Sequence, residues 1–186
     1  MRKTITSTAV ALSAAALTVG LAGAAHADLY GVDDPQDTFH GSDVLALSVR
    51  NGADNVHVTT YHDNLVRKAA SGSGEAVYID TDPGDRGPEY VLAAGLFEGT
   101  DYLLSHTEGF GVAKWGKPVA HGDYILHISY RKDRAHAVIS RASLGNPDEI
   151  RVAVRASGTR TDGTHHGLVD WVGKDRRFGT PWIAQG

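Results

Sequence analysis

Short segments in which apolar and polar residues alternate are the feature that most restricts the fold of this chain. Between residues 149 and 155, Ile150, Val152 and Val154 alternate with Glu149 and two arginines. The segment 124–130 alternates in the same way and is followed by the polar stretch 131–134 and a further apolar segment, 135–141. A period of two is typical of strands with one buried face, so the pattern predicts a hairpin here and antiparallel sheet throughout.

Similar segments recur every 8 to 12 residues or so, and Gly, Pro, Asn or Asp stands in almost every gap between them, which is typical of an antiparallel sandwich or barrel. We predict a single all-β antiparallel β-sandwich, jelly-roll or immunoglobulin-like, with about nine strands. The only helical element expected beyond residue 27 is a turn at 143–145. The predicted strands are 43–49, 55–61, 75–80, 89–96, 101–107, 110–115, 124–130, 135–141 and the segment from 149.

The first 27 residues have the composition of an export signal. Arg2 and Lys3 precede an uncharged, Ala-rich stretch that ends at Ala25-His26-Ala27. The small residues at either side of His26 match the pattern that signal peptidase cleaves. We therefore expect a signal peptide at 1–27, a single domain at 28–186, and a soluble, secreted (extracellular) protein without a membrane anchor.

Composition narrows the possible functions further. The 186 residues contain no Cys and carry a formal net charge of −4. An exported chain without cysteines has no disulfides, so its stability must come from packing, hydrogen bonds or a bound metal ion. The acidic balance argues against a nucleic-acid partner. Cysteine nucleophiles are excluded, and neither the Gly-x-Ser-x-Gly pattern of serine hydrolases nor a phosphate-binding Gly-rich loop is present.

The chain resembles two known groups of proteins, the first over most of residues 28–186 and the second over the central and later strands. The segments 77–82, 87–90 and 99–102, with 138–147 and 150–152, are similar to uncharacterised secreted proteins of actinobacteria. More distantly, a strand followed by Ser143-Leu144-Gly145 and a further strand resembles the closing half of DOMON domains and of family-nine carbohydrate-binding modules. Both resemblances imply a two-sheet sandwich. Neither implies an activity, because sandwiches have many unrelated functions.

The loop at residues 80–85 is the sharpest local candidate for a metal site. Asp80, Asp82 and Asp85 stand close together around Pro83-Gly84. Calcium takes six to eight oxygen ligands, and carboxylates on a tight loop can converge on one ion. The alternative is a turn at the end of a strand, which uses the same residue types. The loop thus predicts a site for a structural calcium ion, and a simple turn without a metal ion remains the alternative.

Two further groups could also bind a metal ion. Asp33, Asp34, Asp37 and Asp43 form a second acidic cluster, which could share that ion, hold another, or be a solvated leading segment. His165-His166, flanked by Asp162 and Asp170, is the only close pair of histidines and could serve zinc only from a loop.

The aromatic residues give the leading functional hypothesis. Trp115, Trp171 and Trp182 are candidate ligand-binding residues, because flat rings stack on sugar faces, and Tyr61 and Tyr78 fall on the outward phase of their strands. The alternative is that all three Trp residues are core or edge cover. By analogy of fold, we expect a non-catalytic module for an extracellular polysaccharide or envelope polymer. The alternatives are a small secreted metal-dependent hydrolase using the Asp80 loop, and a structural or inhibitory protein with a protein partner.

Overall fold

The alternating segments form two antiparallel sheets that pack face to face. The computed structural model describes residues 28–159 and 167–186, so the predicted signal peptide and the His165-His166 pair lie outside the described residues. The arrangement is a two-layer β-sandwich, which confirms the predicted all-β class. None of the helical elements among the described residues is long and apolar enough to cross a membrane.

The described residues form twelve strands and three short 3-10 turns. The turns are Ala69–Ser71, Val112–Lys114 and Arg141–Leu144, the last of which overlaps the predicted turn. The strands are β1 (Asp28–Asp33), β2 (Val44–Asn51), β3 (Asn55–His62), β4 (Gly74–Asp80), β5 (Tyr90–Gly95), β6 (Tyr102–Thr107), β7 (Trp115–Pro118), β8 (Tyr124–Ser129), β9 (Arg134–Ser140), β10 (Glu149–Thr159), β11 (Gly167–Trp171) and β12 (Ile183–Ala184).

Each sheet runs in a simple order. The five-stranded sheet has the order β1-β2-β3-β9-β8. The seven-stranded sheet has the order β11-β10-β4-β5-β6-β7, and β12 pairs with the beginning of β10. The predicted hairpin of residues 124–141 is β8 and β9, which pair directly. Strands β1 and β11 therefore lie at the edges of their sheets.

The core lies between the two sheets and is built from one face of each strand. Ile150, Val152 and Val154 are fully buried, as the alternation predicts. They belong to one cluster with Val56 and Val58 from the facing sheet. Because the side chains of both inner faces interdigitate without a disulfide, the hydrophobic effect is the main source of cohesion between the layers.

One predicted strand is wrong. Residues 110–115 form a loop with a 3-10 turn, and the strand begins only at Trp115. Gly109 has φ 148°, which favours glycine, and the Thr107 hydroxyl donates to the Gly109 carbonyl at 2.7 Å. These features turn the chain away from the ladder and lay Phe110 on the outer face of the seven-stranded sheet.

The alternation in β6 provides a direct test of the sandwich. Leu104 is completely buried in the core, whereas its neighbour Leu103 is 46% exposed on the other face. We expect Leu104→Ala to lower the free energy of unfolding by about 2 to 5 kcal/mol through the cavity it leaves. Leu103→Ala should change it by only about 0.5 kcal/mol. Urea denaturation of both variants measures the difference, and equal losses would contradict the packing described.

Candidate functional site

A cluster of aromatic rings covers the outer face of the seven-stranded sheet. The alternation in β4 turns Val77 and Ile79 inward and Tyr78 outward. Tyr78 is nonetheless completely buried. Its ring stacks on Trp171, with centroids 5.8 Å apart and planes 14° apart, and Phe110 meets it edge-on at 5.3 Å.

The rings come from distant parts of the chain. Phe110 lies in the loop between β6 and β7, Trp115 begins β7, Trp171 ends β11, and Phe178 belongs to the segment after it. The Tyr78 hydroxyl donates a hydrogen bond of 2.6 Å to the carbonyl of Phe110. This bond joins the loop that carries Phe110 to strand β4, and so it fixes the position of Phe110 in the aromatic cluster.

Two shallow grooves lie beside the aromatic cluster and meet at Arg155. The larger, of about 490 Å³, is lined by residues that include Phe110, Trp171, Arg155 and Arg176. The smaller, of about 330 Å³, is lined by Trp115, Asp101 and Arg155 among others. We call the two together the outer groove. It combines half-buried aromatic rings with charged side chains, the composition expected of a site for a polar ligand with apolar faces.

Trp182 is placed differently from the other two tryptophans. It lies against Arg151, whose guanidinium carbon is 4.6 Å from the Trp182 ring centroid and 4.1 Å from that of Phe178. It lines neither part of the outer groove. Of the three predicted ligand-binding residues, the structure therefore brings Trp115 and Trp171 together around Tyr78 and assigns Trp182 a packing contact with Arg151.

The Asp80 loop is organised by its own contacts. Asp80 is fully buried and accepts hydrogen bonds from Arg151 at 2.6 and 2.7 Å. Asp82 accepts from the Gly84 N–H and Asp85 from the Arg86 N–H. These three carboxylates are not among the described residues whose ligand atoms converge on one point. A metal ion at Asp80, Asp82 and Asp85 stays a prediction.

The carboxylates of a different set of acidic residues do converge on one point. Asp37, Asp43 and Asp170 each offer a carboxylate oxygen, and these oxygens lie within 4.8 Å of one another. Asp43 and Asp170 are buried, whereas Asp37 is exposed. Two members come from the second acidic cluster of the sequence, and the third is the Asp that follows the histidine pair. We call these three residues the inter-sheet carboxylates, because Asp170 lies on β11 and Asp43 directly precedes β2.

Asp43 and Asp170 are held by backbone hydrogen bonds from the segment 38–44. The Val44 N–H donates to Asp170 Oδ2 at 2.7 Å, and the Thr38 N–H donates to Asp43 Oδ1 at 3.0 Å. The Gly173 N–H donates to the nearby Asp34. Burial raises the pKa of Asp170 to about 6, and the neighbouring carboxylate of Asp43 adds to the rise.

Two buried histidines lie close to this end of the sandwich. His62 binds the Ser42 carbonyl through Nδ1 at 2.9 Å, and its Nε2 lies 3.3 Å from Glu75. His40 binds the Ser42 hydroxyl, and both lie over Gly158, where a Cβ would come within 2.7 Å of the hydroxyl oxygen. Sequence reasoning missed His40, His62 and Glu75 as a group, because no local spacing relates them.

No protein-family model matches the chain, and no curated protein is significantly similar to it. The resemblances noted from the sequence therefore stay expectations.

The His62–Glu75 pair predicts a pH dependence of stability. Burial alone lowers the pKa of His62, but the hydrogen bond and the charge of Glu75 outweigh it, so the pKa is raised. A raised pKa contributes stability that is complete below the unfolded value of about 6.5 and is lost as the pH rises through the folded value. We expect the free energy of unfolding to fall with pH above about 6.5.

Glu75→Gln should flatten this fall, because it removes the charge that keeps His62 protonated. His127→Gln, at an exposed position on β8, is the matched control and should leave the fall unchanged. Asp170, with a pKa of about 6, has released most of its proton by about pH 7, so the slopes of the variants are compared above that pH. Urea denaturation between pH 6 and 9 or so measures the slope. A slope that survives Glu75→Gln would contradict the assignment.

Proposed function

We propose that the protein is an extracellular, non-catalytic binding module that holds a glycan in the outer groove. The observation that carries the proposal is the position of Trp171. Its ring is half-buried, stacks on Tyr78 and lines the larger groove beside Phe110. An aromatic ring fixed in this way offers a flat apolar surface of the kind on which the C–H faces of sugar rings pack.

The charged residues of the outer groove supply the polar part of such a site. Arg155 lines both grooves, Asp101 lines the smaller one, and Asp175 and Arg176 line the larger one. Guanidinium groups donate several hydrogen bonds in a fixed geometry, and carboxylates accept them from hydroxyls. A glycan presents donors and acceptors around an apolar ring, so it matches both features at once.

The support beneath Trp171 favours binding without rearrangement. Tyr78 is completely buried under the ring and is itself bonded to the Phe110 carbonyl. A side chain already held in its bound conformation loses little entropy when a ligand arrives. The expected export signal and the distant resemblance to carbohydrate-binding sandwiches agree with this function.

The alternative of a hydrolase with its metal at the Asp80 loop gains no support from the contacts there. The buried carboxylate of Asp80 is already paired with Arg151 through Oδ2, and its Oδ1 accepts a hydrogen bond from the Asp82 N–H. We therefore retain the binding module as the proposed function.

Trp171 and Trp182 provide the test, because of these two only Trp171 lines the outer groove. We expect Trp171→Ala to weaken retention on the cognate polysaccharide at least tenfold, which corresponds to about 1.4 kcal/mol of binding free energy. Trp182→Ala is the matched control, because it removes an indole that lines neither groove, and it should leave retention unchanged. Retention is measured by pull-down on insoluble cellulose, chitin and isolated cell walls, and by affinity electrophoresis in gels containing soluble glycans.

Thermal unfolding of both variants establishes that each is folded before its retention is compared. Two results would contradict the proposal. One is that no polysaccharide or cell-wall fraction retains the wild-type protein. The other is that Trp182→Ala loses as much retention as Trp171→Ala does.

A further inference from the structure

We propose that Asp37, Asp43 and Asp170, the inter-sheet carboxylates, bind a calcium ion that joins the two sheets. This site differs from the one predicted at Asp80, and it does not depend on whether the outer groove binds a glycan.

The distances fit one ion. Calcium–oxygen distances in proteins are about 2.3 to 2.6 Å, so two ligands of the same ion cannot be more than about 5 Å apart. The three carboxylate oxygens lie within 4.8 Å of one another, and the fold brings Asp170 to Asp37 and Asp43 from a distant part of the sequence. Such a convergence is created by the fold, unlike a run of neighbouring acidic residues on a loop.

A second observation points to a ligand. Asp43 is completely buried, yet its Oδ2 has no hydrogen-bond partner within the part of the chain that the structure describes. Its Oδ1 accepts both the N–H and the hydroxyl of Thr38. A buried carboxylate oxygen without a partner carries a desolvation penalty that a coordinated cation would remove.

The charges around the site favour a cation. No ion pair among residues 28–159 and 167–186 joins an Arg or Lys to any of the inter-sheet carboxylates. Asp34, whose Oδ2 is also buried without a described partner, adds a further negative charge nearby. Burying several carboxylates together is costly unless protons or a metal ion balance the charge.

The chemistry of the ligands selects calcium among the common metal ions. The three groups are carboxylates, which suit the hard cations calcium and magnesium, whereas zinc prefers nitrogen and sulfur ligands. Magnesium requires nearly octahedral geometry at about 2.0 to 2.1 Å and keeps most of its water. Two buried carboxylates plus the exposed Asp37 leave one side of the ion open to water, an arrangement that the flexible coordination of calcium accommodates.

The position explains what the ion would do. Asp43 immediately precedes β2 of the five-stranded sheet, and Asp170 lies on β11, the edge strand of the other sheet. The Val44 N–H already reaches across to Asp170. An ion bound here would fasten the two layers where no disulfide can, since the chain contains no cysteine.

The first measurement is the melting temperature of the full chain with EDTA and with 10 mM or so CaCl₂. Extracellular calcium modules have dissociation constants of about 0.1 to 1 mM. At that affinity, calcium should raise the melting temperature by about 3 to 10 °C. Magnesium at the same concentration should have a smaller effect. If calcium causes no shift in the wild-type protein, the proposal fails.

Substitutions then locate the ion. Asp43→Asn and Asp170→Asn keep the shape of the side chain and should abolish the calcium shift. Because they relieve repulsion, they should leave the melting temperature in EDTA equal to that of the wild type or higher. Asp82→Asn, in the Asp80 loop, is the matched control and should keep the full shift.

The opposite pattern, with the shift lost in Asp82→Asn and kept in Asp43→Asn, would place the ion at the Asp80 loop and overturn the proposal. So would variants that melt lower by the same amount with and without calcium, because that is the result of a purely structural role. If the buried variants fail to fold, Asp37→Asn at the exposed position should weaken calcium binding at least tenfold by titration calorimetry, and an unchanged affinity would refute the site.

Discussion

The structure depends on the burial of β4 on both of its faces. Val77 and Ile79 enter the core between the sheets, and Tyr78 on the opposite face is equally inaccessible to solvent. A sheet buried on both sides needs a second cover, and here the cover consists of Phe110, Trp171 and the rings around them. The outer groove exists because this cover is made of separate segments that meet over the sheet without forming a third layer.

The alternation of residues predicted most of the strands, because the period of two is local and each strand carries it alone. The prediction of strand 110–115 failed because Thr107 and Gly109 redirect the chain, and neither effect has a signature in the pattern of apolar residues. Strand β1 was missed because its sequence includes Asp28, Gly31 and Asp33, which are unfavourable in strands. Its antiparallel pairing with β2 holds it as a strand despite this composition.

The candidate sites were harder to predict, because the residues that form them are far apart in the chain. The Asp80 loop drew attention through its local spacing, yet Asp80 lies directly opposite Arg151 in the β4–β10 pairing, so the register supplies a cation from another strand. The sequence of the loop alone does not show which residue of β10 pairs with Asp80. Asp43 and Asp170 are brought together only when both sheets are in place. The outward phase of Tyr78 was predictable from the alternation, whereas the rings that bury it were not.

Strand β11 links the two proposed sites, because consecutive residues of a strand point to opposite faces. Asp170 is buried toward the five-stranded sheet, where the Val44 N–H binds it, and Trp171 stacks on Tyr78 at the outer face. A cation that fixes Asp170 therefore also restrains the backbone that carries the principal ring of the outer groove. Since linkage between two binding sites is reciprocal, any gain in glycan affinity caused by the ion must appear as an equal gain in affinity for the ion when the glycan is bound. Strand β11 is the element on which such coupling would act, because its five residues include a ligand of the proposed ion and the principal ring of the outer groove, and it pairs with β10 only.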